Sequence, residues 1–160
     1  MSNIKIETFR LKYAAAFKAL NEEWISTYFV MEPSDYAALD NPESYIINKG
    51  GEIFVSVEGD MVLGVCALIK VNKQGIDYEL AKMAVSSAAQ GKGIGFLLGK
   101  AAIDWAKEQG AKTIFLDSNT NLQPAIHLYR KLGFKEVKGM ETPYKRTDIQ
   151  MLLTMDEATS

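Results

Sequence analysis

The residues with the clearest capacity for chemistry are Gln90-Gly91-Lys92-Gly93-Ile94-Gly95. They follow an alternating, strand-like run from Tyr78 to Val85 and open a strongly amphipathic stretch. Three glycines in alternation at a strand-to-helix junction expose bare backbone N–H groups at the positive end of a helix. That arrangement fits a pyrophosphate. Side chains at Gly93 and Gly95 would hold a phosphate off. Lys92 has two readings, an added positive charge or a solvated surface lysine.

Three well-known phosphate loops fit the context poorly. A dinucleotide fingerprint requires G-x-G-x-x-G within a β-α-β unit and an acidic residue about 20 residues on. Here the third glycine comes too early, and a run of antiparallel strands precedes the loop. A P-loop requires G-x-x-x-x-G-K-[ST], but Gly95 is followed by Phe96. A kinase glycine loop lies in a hairpin, whereas this one opens a helix.

The loop must be positioned by the elements around it. Ile4 to Phe9 alternates as a strand, and Tyr13, Phe17, Leu20, Trp24 and Ile25 recur at helical spacing. Short acidic helical turns follow Pro33, and Pro42 suits the first turn of another short helix ending at Gly50-Gly51. Ile53–Val57 and Met61–Ile69 flank Glu58-Gly59-Asp60 as a hairpin, and Tyr78–Val85 completes a meander. In the long helix that begins near Gly93, the spacing predicts a buried stripe of Ile94, Leu97, Leu98, Ala101, Ala102 and Trp105. Thr113–Leu116 is a short strand, Pro124–Leu132 a helix, and Phe134–Lys138 and Ile149–Leu153 the last strands. The order predicts a mixed α/β sheet with helices on its faces, in one domain over 1–155 and a flexible tail at 156–160.

Composition narrows the function. Lys and Arg number 18 against 20 Asp and Glu, so no basic footprint points to nucleic acid. The single Cys66, in an apolar strand, reads as a small buried hydrophobe and excludes an internal disulfide framework. No segment approaches the roughly 20 apolar residues of a membrane span. A cytoplasmic protein without membrane or nucleic-acid partners is expected. No His, Cys, Asp or Glu cluster has metal-site spacing, so no metal is expected.

Gln90-x-x-Gly93-x-Gly95 resembles the Q/R-x-x-G-x-G/A signature of the GNAT acetyltransferase superfamily. Glu79-Leu80-Ala81-Lys82-Met83-Ala84-Val85 upstream and Ala125-Ile126-x-Leu128-Tyr129-Arg130-Lys131-Leu132-Gly133-Phe134 downstream are similar to the blocks that flank it there. The N-terminal Leu20-Asn21-Glu22-Glu23-Trp24-Ile25, with Tyr28-Phe29, resembles a bacterial subgroup found alone or fused to MarR-type regulators. The resemblance implies the GNAT fold, a mostly antiparallel sheet of about seven strands flanked by about four helices. It also implies acetyl-coenzyme A as donor, and direct acetyl transfer to an amine in a ternary complex.

In such an enzyme the cofactor is held, the amine deprotonated, the developing oxyanion stabilised and the leaving thiolate protonated. The resemblance assigns the pyrophosphate to Gln90, Gly91, Lys92, Gly93, Ile94 and Gly95, and the pantetheine arm to the backbone of Met83, Ala84 and Val85. Tyr129 matches the family's general acid; its alternative is packing beneath the acyl chain. Glu79 matches a catalytic base, and strict alternation would place it on one face with Ala81, Met83 and Val85. Its alternatives are binding the amine or simple solvation. A pantetheine-binding asparagine falls on Asn121, with Asn119 as the alternate. His127 is expected to face solvent, away from an inward face of Ala125, Leu128, Tyr129 and Leu132.

The acceptor wall is expected from Trp24, Tyr28, Phe29, Glu32, Asp35, Tyr144 and Arg146. Aromatics beside carboxylates suit a small cationic amine. Arg146 suits the carboxylate of an amino acid instead. The sequence leaves both open, and leaves open a monomer or a homodimer. A non-catalytic acyl-CoA-binding module is the alternative to the enzyme.

Overall fold

The computed structural model describes residues 3–73 and 75–155, so the expected tail 156–160 lies outside the described residues. Strand β1 (Ile4–Thr8) leads through a 3-10 turn into α1 (Ala14–Tyr28). Pro33 opens α2 (Pro33–Asp40), where its missing N–H is no loss, and the Glu32 N–H donates to the Asp35 carboxylate at 2.9 Å. The short helix expected after Pro42 is a single π turn, Glu43–Ile47. The meander follows as β2 (Glu52–Glu58), β3 (Met61–Lys73) and β4 (Ile76–Val85), its first turn made by Gly59 at φ +62°. Then come α3 (Ile94–Glu108), β5 (Thr113–Ser118), α4 (Gln123–Leu132), β6 (Lys135–Val137) and β7 (Ile149–Thr154).

The seven strands form one sheet in the order β1-β2-β3-β4-β5-β7-β6. All neighbours are antiparallel except β4 and β5. Each face has its own apolar core. On one side Phe17 and Ile25 of α1 and Leu39 of α2 cover Ile53, Val55 and Val65. On the other, Ile94, Leu98 and Ala102 of α3 and Ile126 of α4 cover Leu68, Leu80 and Leu116. Cys66 is buried in this second core, as expected of a small hydrophobe.

Two expected side-chain placements change. Leu97 is exposed, and Gly99, Ile103 and Ala106 complete the buried stripe of α3 instead. Ile94, Leu98, Ala102 and Ala106 repeat every four residues, which leaves Leu97 at the edge of the buried arc. On α4 the fully buried residue is Ile126, with Ala125, Leu128, Tyr129 and Leu132 half-buried around it; His127 is exposed as expected.

Gly51 shows how tightly the first helical layer is joined to the sheet. A Cβ there would sit 2.3 Å from the Leu68 carbonyl oxygen and 3.0 Å from that of Ile46, backbone atoms that cannot rotate away. Gly51→Ala is therefore expected to destabilise the fold by at least about 2 kcal/mol in urea unfolding followed by circular dichroism.

Candidate functional site

The site begins with a break in the sheet. Parallel strands β4 and β5 pair only at Tyr78↔Ile114 and Glu79↔Phe115. Beyond Glu79 the strands separate, while β5 stays paired to β7 as far as Ser118. Within the same stretch β4 carries a bulge: Val65↔Ala84 is followed by Ala67↔Ala81, three steps on β4 against two on β3. Lys82 occupies the extra position at φ +54°, the one non-glycine residue with positive φ among the described residues. A lysine held there carries a strain of about 1–2 kcal/mol, the signature of a backbone shaped by its surroundings.

The bulge corrects the expected face of Glu79. Tyr78 and Leu80 join the core under α3, and so do Met83 and Val85, whereas Ala84 joins the core under α1. Alternation is thus out of phase across Lys82. Glu79 does not share a face with Met83 and Val85 but looks with Lys82 toward the α1–α2 side, where its charge acts on Lys82 and on Tyr144.

Two concavities meet at this break. On the α3–α4 side, a groove of about 470 Å³ runs from Gln90, Gly91, Gly93 and Gly95 past Met83 and Val85 to Tyr129. On the α1–α2 side, a cavity of about 100 Å³ is lined by Glu79, Lys82, Asp117, Asn119, Tyr144 and Arg146, among others. Trp24, Met83 and Tyr129 line both. The exposed Tyr28 stacks its ring 4.8 Å from that of Trp24 and lines the groove alone.

The glycines of the loop have separate reasons. Gly91 at φ +84° and Gly93 at φ +75° adopt left-handed backbone, with nothing within 4 Å of where a Cβ would stand. Their requirement is conformational and the space around them is open. Gly95 has no such φ; a Cβ there would meet Leu128 at 3.0 Å, so this glycine lets α3 approach α4. Gly93 caps α3 without any side-chain hydrogen bond, leaving the first-turn N–H groups to an incoming anion. Gln90 and Lys92 are exposed and Ile94 is buried beneath the loop.

Of the residues expected to form the acceptor wall, Glu32, Asp35, Tyr144 and Arg146 are joined with Lys82 in one ion cluster. Asp35, fully buried, accepts Lys82 Nζ at 2.6 Å and both terminal nitrogens of Arg146, at 2.7 and 2.8 Å. Glu32 takes Arg146 at 3.3 Å and the Lys145 backbone N–H at 3.0 Å. Tyr144 accepts Lys82 Nζ at 2.9 Å, and its ring lies under Lys82 (4.6 Å) and Arg146 (4.5 Å). Burial alone would raise the Asp35 carboxyl, but the Arg146 guanidinium and then Lys82 outweigh it and hold it at about 2. Burial lowers Lys82 against the pull of Asp35. Burial, then Asp35, drives the Tyr144 phenol well above its usual range.

Sequence reasoning passed over the side chain of Lys82. Its only signal was one charge inside the apolar run Leu80-Ala81-Lys82-Met83-Ala84-Val85, in a strand expected to be covered on both sides. Asn119, rather than Asn121, stands in the cleft: its amide donates to the Arg146 carbonyl at 2.6 Å and its oxygen accepts the Asn121 N–H at 2.8 Å. Asn121 itself is exposed. Tyr129 packs edge-on to Phe134 at 6.2 Å, and burial pushes its phenol up to about 12. Among the described residues no group of three or more His, Cys, Asp or Glu is placed to hold a metal ion.

A family profile described as the acetyltransferase (GNAT) family matches residues 15–134. The chain belongs to the GNAT acetyltransferase family. The GNAT chain is 33% identical over 104 residues to the uncharacterized N-acetyltransferase YvbK of Bacillus subtilis, covering 63% of its own length and 66% of that protein. It spans about half the length of other curated relatives it matches. Its fold is shared with a GNAT acetyltransferase of Staphylococcus aureus Mu50, at a TM-score of 0.86 and 20% identity over 96% of this chain and 99% of that one. It is shared too with yncA of Salmonella typhimurium, solved with its cofactor acetyl-CoA, at a TM-score of 0.77 and 21% identity over 96% and 95%. Among the described residues no helix of this GNAT chain is long and apolar enough to cross a membrane.

The low Asp35 value makes the GNAT cluster visible in unfolding. A carboxyl depressed in the folded state stabilises it above the unfolded value, here 3.8, and that contribution is lost as pH falls through about 2. Asp35→Asn should therefore be less stable than the parent near neutral pH. The gap should narrow by about 2 kcal/mol as pH drops from 5 toward 2, read from paired urea unfolding curves.

Proposed function

We propose that this GNAT protein is an N-acetyltransferase that moves acetyl from acetyl-CoA directly to a primary amine within a ternary complex. One observation carries the reading: the glycine loop at the head of α3 opens the same groove that ends at Tyr129, where β4 and β5 part. The groove fits the donor. The space beside Gly91 and Gly93 is open, and the first turn of α3 has no side-chain cap. The uncapped N–H groups and the loop backbone from Gln90 through Gly95 would hold the pyrophosphate. Among the described residues the β5-facing edge of β4 from Leu80 to Val85 has no strand partner. The backbone of Met83, Ala84 and Val85 would pair there with the peptide-like pantetheine arm, and Asn119 stands across the cleft.

When bound, acetyl-CoA supplies a thioester: the amine nitrogen bonds to the acetyl carbon, the carbon–sulfur bond breaks, and the sulfur leaves as a thiol. Tyr129 lies where both concavities meet, and its phenol, pushed up to about 12, keeps its proton at neutral pH to give to the sulfur. Glu79, on the acceptor side, takes the proton released by the amine, directly or through water. A backbone N–H on this edge of β4 would meet the acetyl oxygen as charge develops. The buried, unpaired Cys66 supports a reducing, cytoplasmic setting.

Two measurements test the assignment. Tyr129→Phe should lower kcat for thiol release by at least about 100-fold, with coenzyme A binding by calorimetry little changed. Gly93→Val forces a β-branched residue into left-handed backbone, and should weaken coenzyme A binding by at least about tenfold. Gly93→Asn, which tolerates that conformation, should fall between Val and the parent. Unchanged affinity in Gly93→Val would remove the pyrophosphate from this loop.

A further inference from the structure

The donor proposed above carries two separate anionic groups, the pyrophosphate and a phosphate monoester on the 3′ position of the ribose. The glycine loop accounts for the first. A monoester brings about −1.5 to −2 of charge at neutral pH and calls for a cation of its own. The charges along the groove show where one stands. Among the described residues that line the groove there is no Asp or Glu, and Lys131 carries the one fixed charge.

Lys131 sits in the last turn of α4. Its ammonium lies 4.8 Å from the centre of the Phe96 ring, on the first turn of α3. That contact orients the charge without neutralising it. Among the described residues no carboxylate forms an ion pair with Lys131. His127, one turn earlier on the same face, lines the groove as well and is exposed. Leu128, beside them, approaches Gly95 so closely that a Cβ there would stand 3.0 Å from it, which keeps this part of α4 next to the loop. Neither His127 nor Lys131 lines the smaller cavity, which Trp24, Met83 and Tyr129 share with the groove at its thioester end. The pair therefore stands on the solvent rim of the groove, away from the reacting carbon. A basic residue in the last turn also complements the negative end of a helix, and Arg130 does this equally. Arg130 is not among the groove-lining residues, so Lys131 alone combines the charge with the place.

We propose that Lys131, with the His127 imidazole beside it, is a second phosphate subsite that binds the ribose 3′-phosphate of the donor. The inference rests on the acetyl-CoA reading and adds to it a selectivity, for the intact coenzyme over the form that lacks this phosphate.

Calorimetry with coenzyme A and 3′-dephospho-coenzyme A isolates the monoester, because both keep the pyrophosphate. The parent should bind coenzyme A at least about tenfold tighter than the dephospho form. Lys131→Gln should reduce that ratio by at least about fivefold. Its affinity for the dephospho form should stay at the parent value, which also reports an intact groove. Lys131→Arg, which keeps the charge, should keep most of the ratio. Arg130→Gln, which removes the same charge from the same turn, should leave the ratio unchanged. Added salt should shrink it in the parent more than in Lys131→Gln. Equal binding of the two coenzymes by the parent overturns the inference and leaves the donor assignment intact. A Lys131→Gln variant that weakens both alike also overturns it, by moving Lys131 to the pyrophosphate. So does an Arg130→Gln variant that lowers the ratio as far as Lys131→Gln. If the parent binds neither coenzyme, the donor assignment itself falls and the inference falls with it.

Discussion

A single carboxylate ties together parts of the molecule that the sheet alone would let separate. Between β4 and β5 the ladder lasts two residue pairs, so the N-terminal and C-terminal halves of the sheet are hinged at a point. Asp35, from α2 in the first half, closes that gap on one face. It binds Arg146 from the loop before β7, and it binds Lys82 on the bulge of β4. Moving three charges out of water is costly, and such clusters contribute little net stability. What they specify is geometry, because every alternative arrangement leaves a charge buried without a partner. Here the geometry specified is that of the smaller cavity, which Lys82, Tyr144 and Arg146 line.

The same cluster accounts for the strained backbone at Lys82. A lysine side chain alone gives no reason to adopt φ +54°; glycine would do so without cost. The bulge, however, turns Lys82 and Ala84 toward the α1 side while keeping Met83 and Val85 under α3. Without the extra residue, the ammonium would point into the apolar core beneath Leu98 and lose Asp35. Strain of about 1–2 kcal/mol in one residue is small beside the cost of an unpaired buried lysine. The backbone conformation and the ion pair therefore sustain each other, and the opening of the groove follows from both.

Much of the architecture was legible in the sequence, and the failures share a cause. Alternation in Tyr78–Val85, the helical stripe of α3 and the glycine loop are local patterns, read from near neighbours. The seven strands and the two-sided core follow from them in order. The bulge is not local: it is a mismatch between β3 and β4, so the face of Glu79 could not be counted from its own strand. Asn119 reaches the cleft because Arg146 and Asp148, more than 25 residues away, anchor its loop, through Asn119 itself at 2.6 Å and Thr120 at 2.7 Å. Leu97 failed for a simpler reason, since a leucine on the edge of a stripe reads as part of it until the neighbouring helix is placed.

The division of labour in the glycine loop also separates the two ends of the site. Gly91 and Gly93 are glycine because of backbone angle and Gly95 because of packing against Leu128. All three therefore serve the shape of the groove through the main chain, without contributing a charge. The smaller cavity is built the opposite way, from side chains, with Lys82 and Arg146 both paired to Asp35. Backbone N–H groups at a helix end favour an anion. The groove and the cavity are thus shaped by different means, main chain in one and paired side-chain charges in the other, with the neutral phenol of Tyr129 at their junction.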